Sequence, residues 1–190
     1  MEKPAKKHAA KHAAKHAKKH AGPGEEKDHR EKDLARAYFH FQRSAGMMAA
    51  LTPASNDFIR PFFEQGAELY RNAHASKNGK AAGLARISAE LLRAVEHFAA
   101  AAICSEQKKP KPQLPAPKID FSKERKHIAD RVAGRARGKS SLASEKWTEK
   151  LAAAAQAFLQ RSEEAEQDEQ PHLAHEFLKA SDALSKASEE

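Results

Sequence analysis

Between Lys3 and Gly24 the chain contains no large apolar residue, and from there on apolar residues recur at alternating spacings of three and four. That spacing predicts amphipathic α-helices, because three- and four-residue steps return to one face of a 3.6-residue turn. Leu34, Tyr38, Phe41, Ala45 and Met48 make a first stripe, widened by Phe39, Met47 and Leu51. Thr52-Pro53 predicts its end, and Pro61 is placed in the first turn of a second helix that turns Phe62, Phe63, Gly66, Leu69, Tyr70 and Ala73 inward. After a break at Ser76 to Gly79, a third stripe runs through Leu84, Ile87, Leu91, Val95, Phe98 and Ala102, with Leu92 beside it. Three such helices can share one core, so residues 25–106 are expected to fold as a three-helix bundle.

Pro110, Pro112, Pro115 and Pro117 then forbid a continuous helix, since proline lacks the backbone N–H and holds the preceding residue extended. Residues 107–118 therefore read as a linker. Residues 119–190 follow as a basic helix and a helical hairpin. Phe121 and Ser122 read as staple and cap of the basic helix, whose apolar face is only Ile128, Val132 and intervening alanines. The hairpin pairs a helix carrying Trp147, Leu151, Ala154, Phe158 and Leu159 with one that starts at Pro171 and carries Leu173, Phe177, Ala180 and Leu184. Its core is small, so it is expected to pack on the first unit or on a second copy of the chain. The fold class expected is all-α, two small helical units with a disordered basic tail at residues 1–24.

Charge adds direction to this outline. The formal excess is +8, and it is segregated. Residues 1–24 hold seven lysines against Glu2, and residues 25–106 balance at eleven basic and eleven acidic. Residues 107–146 carry twelve basic against four acidic, and residues 147–190 four against ten. Segregation of this kind points to an electrostatic binder of a polyanion, since solubility alone does not require it. Cys104 is the only cysteine, which excludes an intramolecular disulfide framework and suits a reducing compartment. The N-terminus lacks the apolar stretch of a secretory signal, and the longest apolar run, Phe98 to Cys104, is too short to span a bilayer. Cytoplasmic residence is expected, with nucleoid association if the partner is DNA.

The tail places lysine at Lys3, Lys7, Lys11, Lys15 and Lys19 and histidine at His8, His12, His16 and His20, with alanine in most gaps. A four-residue step advances a helix by about 400 degrees, so the two series would wind side by side as stripes. Stacked lysines repel, and such a segment has nothing to bury, so order is expected only on a polyanion. In composition it resembles the Lys/Ala-rich arms of histone H1-like proteins over roughly the first twenty residues, which implies binding to DNA without reading its sequence. The four histidines are also spaced to present imidazoles to Zn, Ni or Cu, although no cysteine or carboxylate cluster closes a tetrahedral site.

No catalytic motif emerges. Gly134 to Ser140 reads GRARGKS, one residue short of a phosphate-wrapping P-loop and without a preceding strand. His172, His175 and Glu176 do not make a zinc-protease pattern, and Pro112 and Pro115 lie in a linker rather than an SH3-type ligand. His40 and His97 fall opposite the apolar stripes and read as solvated positions. The chain is therefore expected to be a non-enzymatic, sequence-independent nucleic-acid binder. Its contacts would be Lys3, Lys7, Lys11, Lys15 and Lys19 in the tail and Lys123, Arg125, Lys126, Arg131, Arg135, Arg137 and Lys139 in the basic helix and its extension. The alternatives are a helical scaffold docking on an acidic protein, which could be its own second copy through SEEAEQDEQ in a homodimer, or a histidine-rich metal binder.

Overall fold

The computed structural model describes residues 23–76, 80–106, 117–135 and 145–188. They form six helices: α1 (Pro23–Met48), α2 (Pro53–Ala75), α3 (Lys80–Glu106), α4 (Phe121–Arg135), α5 (Glu145–Gln167) and α6 (Pro171–Ala187). No strand occurs among the described residues. The all-α class and the bundle packing are as the apolar periodicity predicts. The tail expected to be disordered lies outside the described residues up to position 22, and α1 already starts at Pro23.

Two helices carry the packing. α3 touches α1, α2 and α6, while α6 touches α3, α4 and α5. Pairs between them give the directions: Arg36–Glu90 and His40–Glu96 run in step, so α1 and α3 are parallel. Arg93–Asp182 and His97–Glu176 run in opposite order, so α3 and α6 are antiparallel. One apolar cluster spans both halves of the chain, joining Met48, Ile59, Phe62, Leu91, Val95 and Phe98 to Leu151, Phe158 and Leu184. The α5–α6 hairpin thus packs on the first three helices. Aromatic rings stitch this seam, with Phe98 5.2 Å from Phe58 and 5.5 Å from Phe158 between ring centroids. A second cluster seats α4 through Phe121 and Ile128 against Leu159, Leu173 and Leu178.

The two hairpins use the same device at their closest approach. On α3 the buried Ser88 hydroxyl donates to the Gly66 carbonyl of α2 at 2.7 Å, and on α6 the buried Ser181 hydroxyl donates to the Ala155 carbonyl of α5 at 2.8 Å. A small residue on the first helix lets the backbones approach, and a serine on the second satisfies its own hydroxyl against a carbonyl that already accepts a helical bond. The spacing is tight at Gly66, where an added Cβ would lie 2.8 Å from Cγ of the fully buried Leu92.

Several boundaries differ from those read in the sequence. Pro61 lies inside α2, not in its first turn; Pro53 takes the N-terminal position, with the Thr52 hydroxyl accepting from the Ser55 amide. An internal proline costs about 3 kcal/mol of helix stability. Burial of Ile59 and Phe62 on either side of it offsets that cost. The cap of α4 is Asp120, whose carboxylate accepts from the Lys123 amide, rather than Ser122. On α1 the buried positions are Ala37, Ser44 and Met48, while Tyr38 and Phe39 stay about half exposed at 46% and 51%. The parallel α1–α3 contact is crossed by the pairs Arg36–Glu90, His40–Glu96 and Arg43–Glu96.

Between α5 and α6, Glu169 adopts a left-handed φ of 54°. The Gln170 amide donates to Ala165 and the Glu169 amide to Glu166, the paired bonds of a Schellman ending. A side chain in this conformation costs roughly 1–2 kcal/mol. Glu169→Gly should therefore raise unfolding free energy by about 1 kcal/mol, read as a higher urea midpoint with unchanged slope. Gly66→Ala should do the reverse, lowering stability by about 1–3 kcal/mol despite alanine's better helix propensity, because Leu92 has no space to yield; an unchanged melt would show the α2–α3 seam to be looser than its distances state.

Candidate nucleic-acid interface

Of the residues expected to contact nucleic acid, Lys3, Lys7, Lys11, Lys15, Lys19, Arg137 and Lys139 lie outside the described residues, as do His8, His12, His16 and His20. Arg135 closes α4. The remaining four sort into two faces. Lys123 and Lys126 stand exposed on α4, as do Glu124 and Asp130. Arg125 and Arg131 turn inward and are only 19% and 17% exposed. Arg125 reaches Glu166 in the acidic end of α5 at 2.6 Å, off the axis of an aligned hydrogen bond, so the contact is chiefly one of charge. Arg131 donates to Asp182 at 2.8 Å and to the Ser185 hydroxyl at 2.9 Å. α4 is therefore a docked helix with two of its five cations engaged internally.

Asp182 gathers more than Arg131. Arg93 of α3 donates to its other oxygen at 2.8 Å and Lys186 to the same oxygen at 2.7 Å, so one carboxylate ties α3, α4 and α6 together. Burial raises the pKa of Asp182, but the hydrogen bonds from Lys186 and Arg131 and the charges of Lys186 and Arg93 outweigh it and hold the carboxyl below its usual range. Arg93 also meets Glu90 at 3.1 Å, and Glu90 receives Arg36 of α1 at 2.6 Å. A continuous charge chain thus crosses the bundle from α1 through α3 to α6 and α4.

Two histidines make further pairs along α3. His40 Nδ1 donates to Glu96 at 3.0 Å, with Arg43 at 2.9 Å from the other Glu96 oxygen. His97 Nδ1 donates to Glu176 at 2.7 Å across the α3–α6 contact. The reading of His40 and His97 as solvated positions is thus overturned: α1 and α6 flank the polar side of α3, so residues opposite its apolar stripe are enclosed by neighbouring helices rather than by water. Burial raises the Glu96 pKa, but the His40 hydrogen bond and the charges of Arg43, His40 and His97 overcome it and leave a lowered value. His175, beside Glu176, is held below the ordinary imidazole value by burial, reinforced by Lys179, His97 and His172 and opposed by Glu176. No group of three or more metal-ligating side chains stands close enough to hold an ion among the described residues, and no helix there is long and apolar enough to cross a membrane.

Periodicity alone misses this network, though one signal is present. Glu90, Arg93, Glu96 and His97 put four ionisable residues at three- and four-residue steps along the most apolar helix of the chain. A polar stripe on such a helix must be paired if a neighbour covers it. The chain matches no family model, no curated protein and no solved structure.

All three shifted groups bind protons less readily when folded, so acidification must destabilise the fold. Stability should be fully present above about pH 6.5, begin to fall there as unfolded His175 takes up a proton, and fall steeply below about pH 4.5 as Glu96 and Asp182 are protonated. Urea midpoints measured from pH 8 to pH 3 check this. Asp182→Asn should lower stability at pH 7 by about 3 kcal/mol and flatten the acid limb, because the group that titrates is gone.

Proposed function

We propose that this chain is a non-enzymatic, sequence-independent nucleic-acid-binding protein in which a helical body carries cationic segments. The observation that carries this reading is where the charge excess falls. Of 34 Lys and Arg, 13 lie outside the described residues, against only Glu2, Glu189 and Glu190 of the 26 acidic residues. The described residues thus hold 21 basic and 23 acidic, and the entire positive excess belongs to segments 1–22, 77–79, 107–116 and 136–144. A body that neutralises itself through pairs such as Arg36–Glu90, Arg125–Glu166 and Arg131–Asp182 has little charge left for a polyanion. Lysines with no apolar neighbours, by contrast, suit phosphate neutralisation, which needs charge and reach but no fixed geometry.

A second reading, docking on an acidic protein, draws on the Arg125–Glu166 contact, in which basic α4 already meets the acidic end of α5 within one chain. Salt dependence separates the two. On duplex DNA each neutralised phosphate contributes about 0.9 to the slope of log affinity against log salt, so changing Lys3, Lys7, Lys11, Lys15 and Lys19 to Gln should lower that slope by roughly four. Lys123→Gln with Lys126→Gln should lower it by about two more, with no change in ranking among DNA sequences. If the five tail changes left affinity and slope unaltered, the nucleic-acid reading of the tail would be lost and the acidic partner would take its place.

A further inference from the structure

Between α4 and α6 lies a cleft of about 310 Å³ lined by Glu124, His127 and Arg131 on one side and Lys179, Asp182 and Lys186 on the other, over Ile128 and Leu178. The charge around it does not close. Of the charged side chains that line it, Arg131, Lys179 and Lys186 stand against Glu124 and Asp182, and Asp182 is shared with Arg93 of α3. The lining thus carries one positive charge in excess beside an apolar floor of two buried side chains, where water screens it less than at an open surface.

The donors also have a definite arrangement. Asp182 and Ser185 take one Arg131 nitrogen, and the other donates to His127 Nε2 at 2.9 Å, which leaves that imidazole's proton on Nδ1. Asp182 and Ser185 thereby fix the guanidinium that forms the back of the cleft. Lys179 and Lys186 bring ammonium groups with three donors each on flexible stems, and Lys186 is 40% exposed while bonded to Asp182. Convergent N–H donors with a surplus of positive charge match an anion that offers three or more acceptor oxygens. A lone carboxylate would be outnumbered here, as Asp182 already is.

We propose that the α4–α6 cleft is a binding site for a phosphate group, carried by Lys179, Lys186 and Arg131. This site is read from the chemistry of the folded helices and does not depend on the cationic segments. The same chemistry could belong to a free phosphate, a small phosphorylated molecule or a nucleic-acid backbone.

The test uses the full chain and inorganic phosphate, titrated calorimetrically at fixed ionic strength against a chloride reference, with Lys179→Gln, Lys186→Gln and the remote Lys32→Gln. Lys179→Gln leaves the Asp182 pairs untouched, Lys186→Gln removes one of them while Arg93 and Arg131 stay on the carboxylate, and circular dichroism melts check that folding is retained. Saturable one-to-one binding, weakened roughly tenfold by each cleft variant and unaffected by Lys32→Gln, is expected. The absence of a saturable phosphate signal, or equal affinity in wild type and both cleft variants, would overturn the site. Once phosphate binding is established, a parallel titration with a short duplex identifies the source of the group. Weaker duplex binding by the cleft variants, with phosphate as a competitor, assigns the site to a nucleic-acid backbone. Unchanged duplex binding assigns it to a free or small-molecule phosphate, and duplex binding that falls only when the tail lysines are changed makes the same assignment while supporting the electrostatic reading of the tail.

Discussion

Asp182 is the constraint on which the arrangement of the helices depends. Apolar burial brings α3, α5 and α6 together without specifying how far one slides along another, because leucine, alanine and phenylalanine pack acceptably at neighbouring registers. Three cations from three helices on one partly buried carboxylate do specify it, since moving α3 or α4 by a turn would strand Arg93 or Arg131 without a partner. The cost is sensitivity: the same carboxylate must stay ionised, and its loss would leave three positive charges facing one another. Glu90 and Glu96 do the same for α1, so the polar side of α3 sets register while its apolar side supplies most of the driving force.

How much of this is legible in the sequence depends on which physical signal a residue carries. The six helices can be read because Leu84, Ile87, Leu91, Val95 and Phe98, or Leu151 and Phe158, repeat at the helical period whatever they pack against. The start of α2 is misplaced from sequence because Pro53 and Pro61 both suit a first turn, and only the burial of Ile59 between them decides. Burial on α1 goes to Ala37, Ser44 and Met48 rather than Tyr38, a choice that hydrophobicity alone does not rank. The polar network is illegible for a related reason. An ionisable residue opposite an apolar stripe is solvated in a lone amphipathic helix and enclosed in one with neighbours on three sides, and His97 meets Glu176 across 79 positions of sequence.

The candidate site divides along the same line. Arg125 and Arg131 look equivalent to Lys123 and Lys126 as charges on one basic helix, and only the docked helix separates the pair that holds α4 in place from the pair that faces solvent. Arginine on the inside and lysine on the outside fits their chemistry, since the planar fork binds carboxylates at fixed geometry while the ammonium stays hydrated.

The unequal embedding of the helices also orders how they let go. α3 and α6 each lie against three others, so their amides can exchange with solvent only through events that expose much of the core, whereas α4 rests on two buried large side chains and two arginine contacts. Helix α4 also lies between the cationic segments 107–116 and 136–144, which adjoin the end of α3 and the start of α5 as well. A partner that held those segments would therefore load α4 together with the ends of α3 and α5, and any work spent in opening α4 would appear as a reduction in binding strength.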